Sequence, residues 1–154
     1  MFLNGRNTPE DRINAVKWYR KAAEQGYSFA QYHVGQMFFN GWGVNKNEEE
    51  GIKWQRKAAE QGYPRAQMNL GDSYILGVHV DKDVVKGINW IRKAANQGFA
   101  DAQWYLATLY RSGGLFGEKM VNIDDEESIK WYRKAARGGN KNAQEVLSKR
   151  GLTW

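Results

Sequence analysis

The chain has 154 residues, of which 42% are hydrophobic and 26% charged, with no cysteine and a net charge of +6. That is the size and mix of one ordinary folded domain, and it excludes a disulfide framework and thiolate metal sites. No apolar run approaches the roughly 20 residues that span a bilayer. The start, Met1-Phe-Leu-Asn-Gly-Arg6, also lacks the basic and long apolar regions of a secretory leader. The expectation is a soluble chain without membrane insertion. It would be cytoplasmic by default, and periplasmic or secreted if a leader has been removed.

From the N-terminus, Met1–Gly5 aligns with the end of a helix one period on (Phe38, Phe39, Asn40, Gly41), so the chain opens on a cut or a degenerate repeat. Next comes the block Trp18-Tyr-Arg-Lys-Ala-Ala-Glu-Gln-Gly-Tyr27. It returns at Trp54–Tyr63, Trp90–Phe99 and Trp131–Asn140, with the tryptophans 36, 36 and 41 residues apart. A fixed period of this length marks stacked repeats, each burying a face against the next. Buried tryptophans supply roughly 150–250 Å² each, at about 25 cal/mol per Å².

In the second full unit Ala66, Leu70 and Tyr74 share one face of a first helix, and Gly77 suits its left-handed stop. Asp83 caps a second helix that carries Ile88, Ile91 and Ala95 and ends before Gly98. Asn47 with Glu50, and Asp124 with Glu127, fit the capping-box spacing. The residue before the second helix's Ile or Val is small in every copy: Ala15, Gly51, Gly87, Ser128. Glycine inside a helix costs roughly 1 kcal/mol against alanine, so its use there predicts a tight helix–helix contact.

The loop Ser112–Val121 is five residues longer than its equivalents. Its Leu115, Phe116 and Met120 either form a contact knob or fold back over the stack. At the other end, Asn142–Arg150 starts a further first helix, and Leu152 and Trp154 are placed to cover the end of the stack. Residues 130–154 hold Lys130, Arg133, Lys134, Arg137, Lys141, Lys149 and Arg150 against Glu145 alone, so the whole charge excess lies there. It either steers an acidic partner or serves solubility.

The pattern Ala-x3-Leu-Gly-x2-Tyr-x2-Gly-x-Gly-Val, followed by Asp-x2-Lys-Ala-x2-Trp-x2-Lys-Ala-Ala-x2-Gly, resembles the Sel-1-like repeat, a relative of the tetratricopeptide repeat. Ala30, Val34, Gly35, Phe38, Gly41, Gly43 and Val44 match its first half in one unit. Ala66, Leu70, Gly71, Tyr74, Gly77 and Val80 match in the next, with His79 in place of the second loop glycine. Ala102, Leu106 and Tyr110 match in the third, with Ala107 in place of the helix glycine. The units are approximately 1–27, 28–63, 64–99 and 100–140, with a terminal half-unit 141–154, in one domain over 1–154.

The resemblance implies an all-α, right-handed superhelical solenoid of antiparallel helix pairs. It implies a monomeric, non-catalytic adaptor, of a kind common in bacteria, that binds a protein or peptide on its concave face. By register that wall takes Phe29, Tyr32, His33, Gln36, Phe39 and Asn40, then Arg65, Met68, Asn69, Asp72, Ile75 and Leu76, then Asp101, Trp104, Tyr105, Thr108, Arg111 and Ser112. One position reads Tyr32, Met68, Trp104, Glu145. Such a stripe is either a peptide groove or core between first helices. The alternative is a regulatory or structural subunit that binds an acidic partner through the basic end, at Arg137, Lys141, Lys149 and Arg150.

Nothing in the sequence points to chemistry or to a cofactor. His33 and His79 occupy non-equivalent positions, and no ligand cluster of metal-site type is present. Some cysteine-rich bacterial relatives have been described as β-lactamases, which makes a hydrolase of that type the remote alternative. The Ser-x-x-Lys motif of that chemistry is absent. The repeated Arg20-Lys21, Arg56-Lys57, Arg92-Lys93 and Arg133-Lys134 pairs form a basic ladder. Arg20–Glu24 and Arg56–Glu60 at i,i+4 offset it, and no nucleic-acid partner is expected.

Overall fold

The computed structural model describes residues 8–115 and 118–154. The helices are α1 (Pro9–Glu24), α2 (Ser28–Asn40), α3 (Glu48–Glu60), α4 (Pro64–Leu76), α5 (Val84–Asn96), α6 (Ala100–Ser112), α7 (Asp125–Arg137) and α8 (Lys141–Lys149). Contacts divide the chain into two compact units, residues 1–66 and 67–154. The first-helix reading of Met1–Gly5 lies outside the described residues, as do Phe116 and the Leu115 side chain of the long loop.

Side-chain caps start the second helices. Asn47, Asp83 and Asp124 each accept the backbone N–H three residues on, at 3.0, 2.9 and 2.9 Å. Thr8 makes a full capping box with Asp11 ahead of Pro9, a signal that the sequence reading passed over. The first helices end on glycines with positive φ: Gly41 at 64°, Gly77 at 68°, Gly113 at 79°. His79 takes φ 64°, close to the 69° of its equivalent Gly43, so the substituted residue keeps the left-handed turn.

The small residues at the head of α3, α5 and α7 mark close approaches. A Cβ on Gly87 would lie 2.6 Å from the Gly71 carbonyl oxygen, and one on Gly71 2.8 Å from the Gly87 carbonyl oxygen. A Cβ on Gly35 would lie 3.0 Å from the Gly51 carbonyl oxygen. In α6 and α7 the matching pair is Ala107 and Ser128, and the fully buried Ser128 hydroxyl donates to the Ala107 carbonyl at 2.9 Å. A small polar group thus replaces bare backbone contact where the glycine pair is missing.

The Ala-Ala of the repeated block is the ridge beneath these contacts. Ala58, Ala59, Ala94, Ala95, Ala135 and Ala136 are all buried. In unit 1 Trp54 joins Ala23, Ala30 and Val34. In unit 2 one continuous core runs from Ile75 and Ile91 through Leu106 and Leu109 to Trp131, Tyr132 and Leu147.

A glutamine pair recurs beside that ridge. Gln31 and Gln103 donate to the carbonyls of Ala23 and Ala95, eight residues back. Gln61 in turn donates to Gln31 Oε1 at 2.6 Å, and Gln97 to Gln67 Oε1 at 2.7 Å. The fourth block has Gly138 at this position, and Gln103 Oε1 is left buried with no partner among the described residues. We expect Gln61→Ala to cost about 1–2 kcal/mol by orphaning Gln31 Oε1, read from the denaturant midpoint.

The long third loop is not wholly irregular. Gly114–Leu115 (β1) pairs antiparallel with Glu118–Lys119 (β2), the one ladder among the described residues. Met120 and Val121 pack on the unit 2 core, so this part of the loop folds back. At the C-terminus Leu152 also packs on that core, and its N–H bonds the Leu147 carbonyl at 2.9 Å.

Candidate functional site

The first-helix residues separate into two groups. Ile75, expected on the open wall, is instead buried between the helices of its own pair, and Phe39 is half-buried with its ring against the facing helix. The Phe39 ring lies 2.7 Å from where a Gly51 Cβ would be, and Ile75 fills the same place over Gly87. The reason is the missing side chain at 51 and 87, which opens a space that only the facing helix can fill.

In unit 1 the remaining residues form an aromatic cluster. Tyr32 is buried, while Phe29 remains half exposed. Ring centroids of Phe29 and His33 are 4.4 Å apart, those of Tyr32 and His33 5.2 Å, and those of Tyr19 and His33 5.4 Å. The Tyr63 ring packs tilted against Tyr32, with centroids 5.2 Å apart. Tyr19 and Tyr63 belong to the repeated block and were not among the expected site residues. The position after Trp varies (Tyr19, Gln55, Ile91, Tyr132), which was the available signal. Gln36 is partly buried on the same helix.

Burial lowers the His33 pKa below its ordinary 6.5, and the nearby Arg65 charge lowers it further. Folding therefore favours the neutral imidazole. Its contribution is present above the ordinary histidine range and is lost as pH falls through the lower folded value. We expect unit 1 to lose stability on acidification through that range and His33→Gln to remove this part of the loss, measured by urea midpoints on either side of it.

In unit 2 Met68, Trp104 and Tyr105 sit half-buried at the edge of the core. Asn69, Asp72 and Thr108 are likewise partly buried, and Arg111 is exposed. The Tyr105 hydroxyl donates to the Asp72 carboxylate. Burial raises the Asp72 pKa, and the Tyr105 bond works against that rise. Burial, the Asp72 charge and the same bond all raise the Tyr105 pKa, so its hydroxyl stays a donor. Thr108 Oγ1 lies 3.3 Å from the Tyr132 hydroxyl, and the Arg111 guanidinium stands 5.7 Å from the Tyr132 ring centroid.

The basic end is partly neutralised. Arg150 grips Asp125 with two bonds of 2.9 and 2.7 Å, holding that carboxyl below its usual range. Lys149 pairs with Glu145 at 2.6 Å, whereas Arg137 and Lys141 are exposed. On the second helices each repeated lysine lies over the tryptophan of its own block. Lys21, Lys57, Lys93 and Lys134 stand 5.1, 4.4, 4.1 and 4.0 Å from the ring centroids. Such contacts contribute about 0.5–1 kcal/mol when exposed, which gives the basic ladder a structural role.

Among the described residues no group of three or more His, Cys, Asp or Glu is placed to hold a metal ion. No described helix is long and apolar enough to cross a membrane.

Residues 1–27, 28–63, 64–99 and 100–140 each match the Sel1 repeat. A Sel1 repeat protein from Oxalobacter formigenes is similar in structure, with TM-score 0.81 and 36% identity over 92% of this chain and 55% of that one. A protective antigen of uropathogenic Escherichia coli that displays an SLR fold gives TM-score 0.75 and 35% identity over 88% of this chain and 28% of that one. Cysteine rich protein B of Helicobacter pylori gives TM-score 0.68 and 26% identity over 91% and 97%. The chain thus spans about half the length of the first and about a quarter of the second. No curated protein matches it. The fold class is the all-α superhelical repeat, and proteins of this type are in general protein-interaction scaffolds. With four matching repeats across most of its length, the chain belongs to the Sel1 repeat family.

Proposed function

We propose that this chain is a non-catalytic adaptor, one repeat domain acting as a monomer, that binds a protein or peptide on the exposed faces of its first helices. The observation that carries the reading is the half-buried apolar and aromatic surface of unit 2, with Met68 on α4 and Trp104 and Tyr105 on α6. Half-buried aromatic and methionine side chains on a rigid helical scaffold suit a docking surface. In unit 1 Phe29 and His33 offer the corresponding surface, with Tyr32 beneath them. Lysines engaged on tryptophan rings favour a protein partner over a nucleic acid.

The basic end is the second reading, supported by the exposed Arg137 and Lys141. Pull-down from the native cell separates the two, using wild type, Trp104→Ala and a variant with Arg137 and Lys141 changed to Glu. The adaptor reading expects the partner to be lost with Trp104→Ala while the fold remains cooperative. Loss only in the charge variant would contradict it.

A further inference from the structure

We propose that the face of α1 around Trp18 is a docking site for an acidic amphipathic helix of a partner protein, a surface separate from the first-helix faces of the reading above.

By its repeated block α1 is a second helix, and in two other copies the same tryptophan is covered. Trp54 is 7% and Trp131 6% exposed, against 71% for Trp18. The cover over Trp54 comes in part from a first helix. Its ring packs with Ala30 and Val34 of α2, and a Cβ on Gly35 would lie 3.6 Å from the Trp54 Cβ. No described first helix is paired with α1 in this way. One turn on from Trp18, Ala22 is half-buried, whereas Ala58, Ala94 and Ala135 are buried. The interface between α2 and α3 thus defines what seals this face: a helix with a small residue against the indole and apolar residues beside it. An exposed tryptophan on a rigid helix is also the side chain best suited to anchor a partner.

Charge selects among such helices. The Trp18 ring walls an open groove of about 400 Å³ together with Asn14, Lys17, Arg20, Lys21 and Glu24. Arg20 pairs with Glu24 at 3.2 Å, and Lys21 stands 5.1 Å from the indole centroid. Lys17 and Lys21 have no carboxylate partner among the described residues. Two uncompensated cations beside an apolar ring match a helix that carries acidic residues along one flank. A second copy of the chain fits poorly. Its last first helix, α8, carries Lys141 and Lys149, and its Glu145 is already paired with Lys149 at 2.6 Å. The tail after α8 also turns back, with the Thr153 carbonyl accepting from Arg133 Nε at 3.1 Å.

The test uses the full chain and two stapled helical peptides of the length of α2. Both keep Ala30, Val34, Gly35 and Phe38 of that helix, and their outward positions carry glutamate in one and lysine in the other. We expect the glutamate peptide to bind on the order of tenfold more tightly than the lysine peptide. It should move the indole NMR signal that is missing from Trp18→Phe. Trp18→Ala should weaken it on the order of tenfold or more, with an unchanged unfolding midpoint. Lys17→Glu combined with Lys21→Glu should reverse the order of the two peptides. A Trp18 signal that stays in place, or equal binding to Trp18→Ala and wild type, would overturn the site. Equal affinity of the two peptides would overturn the acidic occupant. Concentration-dependent self-association in sedimentation, abolished by Trp18→Ala, would overturn the proposal by giving the face to a second copy.

Discussion

Trp54→Ala is expected to remove about 3–5 kcal/mol of stability from unit 1, whereas Trp18→Ala, at the same place in the repeated block, should change it by less than about 0.5 kcal/mol. The two tryptophans differ in what surrounds them. Trp54 is 7% exposed and packs on Ala23, Ala30 and Val34. Trp18 is 71% exposed, with Lys21 at 5.1 Å as its recorded ring contact. Loss of a buried indole leaves a cavity beside alanines too small to fill it, while loss of an exposed one leaves water. Guanidinium unfolding followed by far-UV circular dichroism reads both. Equal effects would contradict the burial assigned to the block.

The second large effect concerns a side chain added where none fits. Gly87→Val should destabilise unit 2 by about 3 kcal/mol or more. Its Cβ would meet the Gly71 carbonyl oxygen at 2.6 Å and the Ile75 backbone nitrogen at 3.0 Å. Both atoms belong to helix backbone, which cannot step aside as a flexible side chain can. Helix propensity alone would have the opposite sign, since glycine is the poorer helix former by roughly 1 kcal/mol against alanine. A midpoint unchanged or raised by the substitution would mean that α4 and α5 are not in close contact.

The period of the block and its helical spacing were enough to place the helix pairs, because both follow from local pattern. The tight contact at Gly71 and Gly87 was legible for the same reason: glycine costs too much in a helix to recur without cause. Ile75 was misplaced because register numbers the faces of an isolated helix. Which face a side chain follows is decided by the space its neighbour leaves, here over Gly51 and Gly87. The Asp72–Tyr105 bond joins residues 33 apart on two helices, a pairing that no local pattern carries. Arg150 and Asp125 are a similar case, so the charge excess of the last 25 residues overstated how much of that end is unpaired.

Site-specific photo-cross-linking tests the central claim most directly. A benzophenone amino acid placed at Asn69, at Lys93 on a second helix, or at Lys141 near the basic end reports which surface a partner touches in the native cell. Docking on the first-helix face predicts one discrete adduct from position 69, lost when Trp104→Ala is added, and none from position 93. An adduct from position 141 alone, unaffected by Trp104→Ala, would contradict that account and place the partner on the basic end.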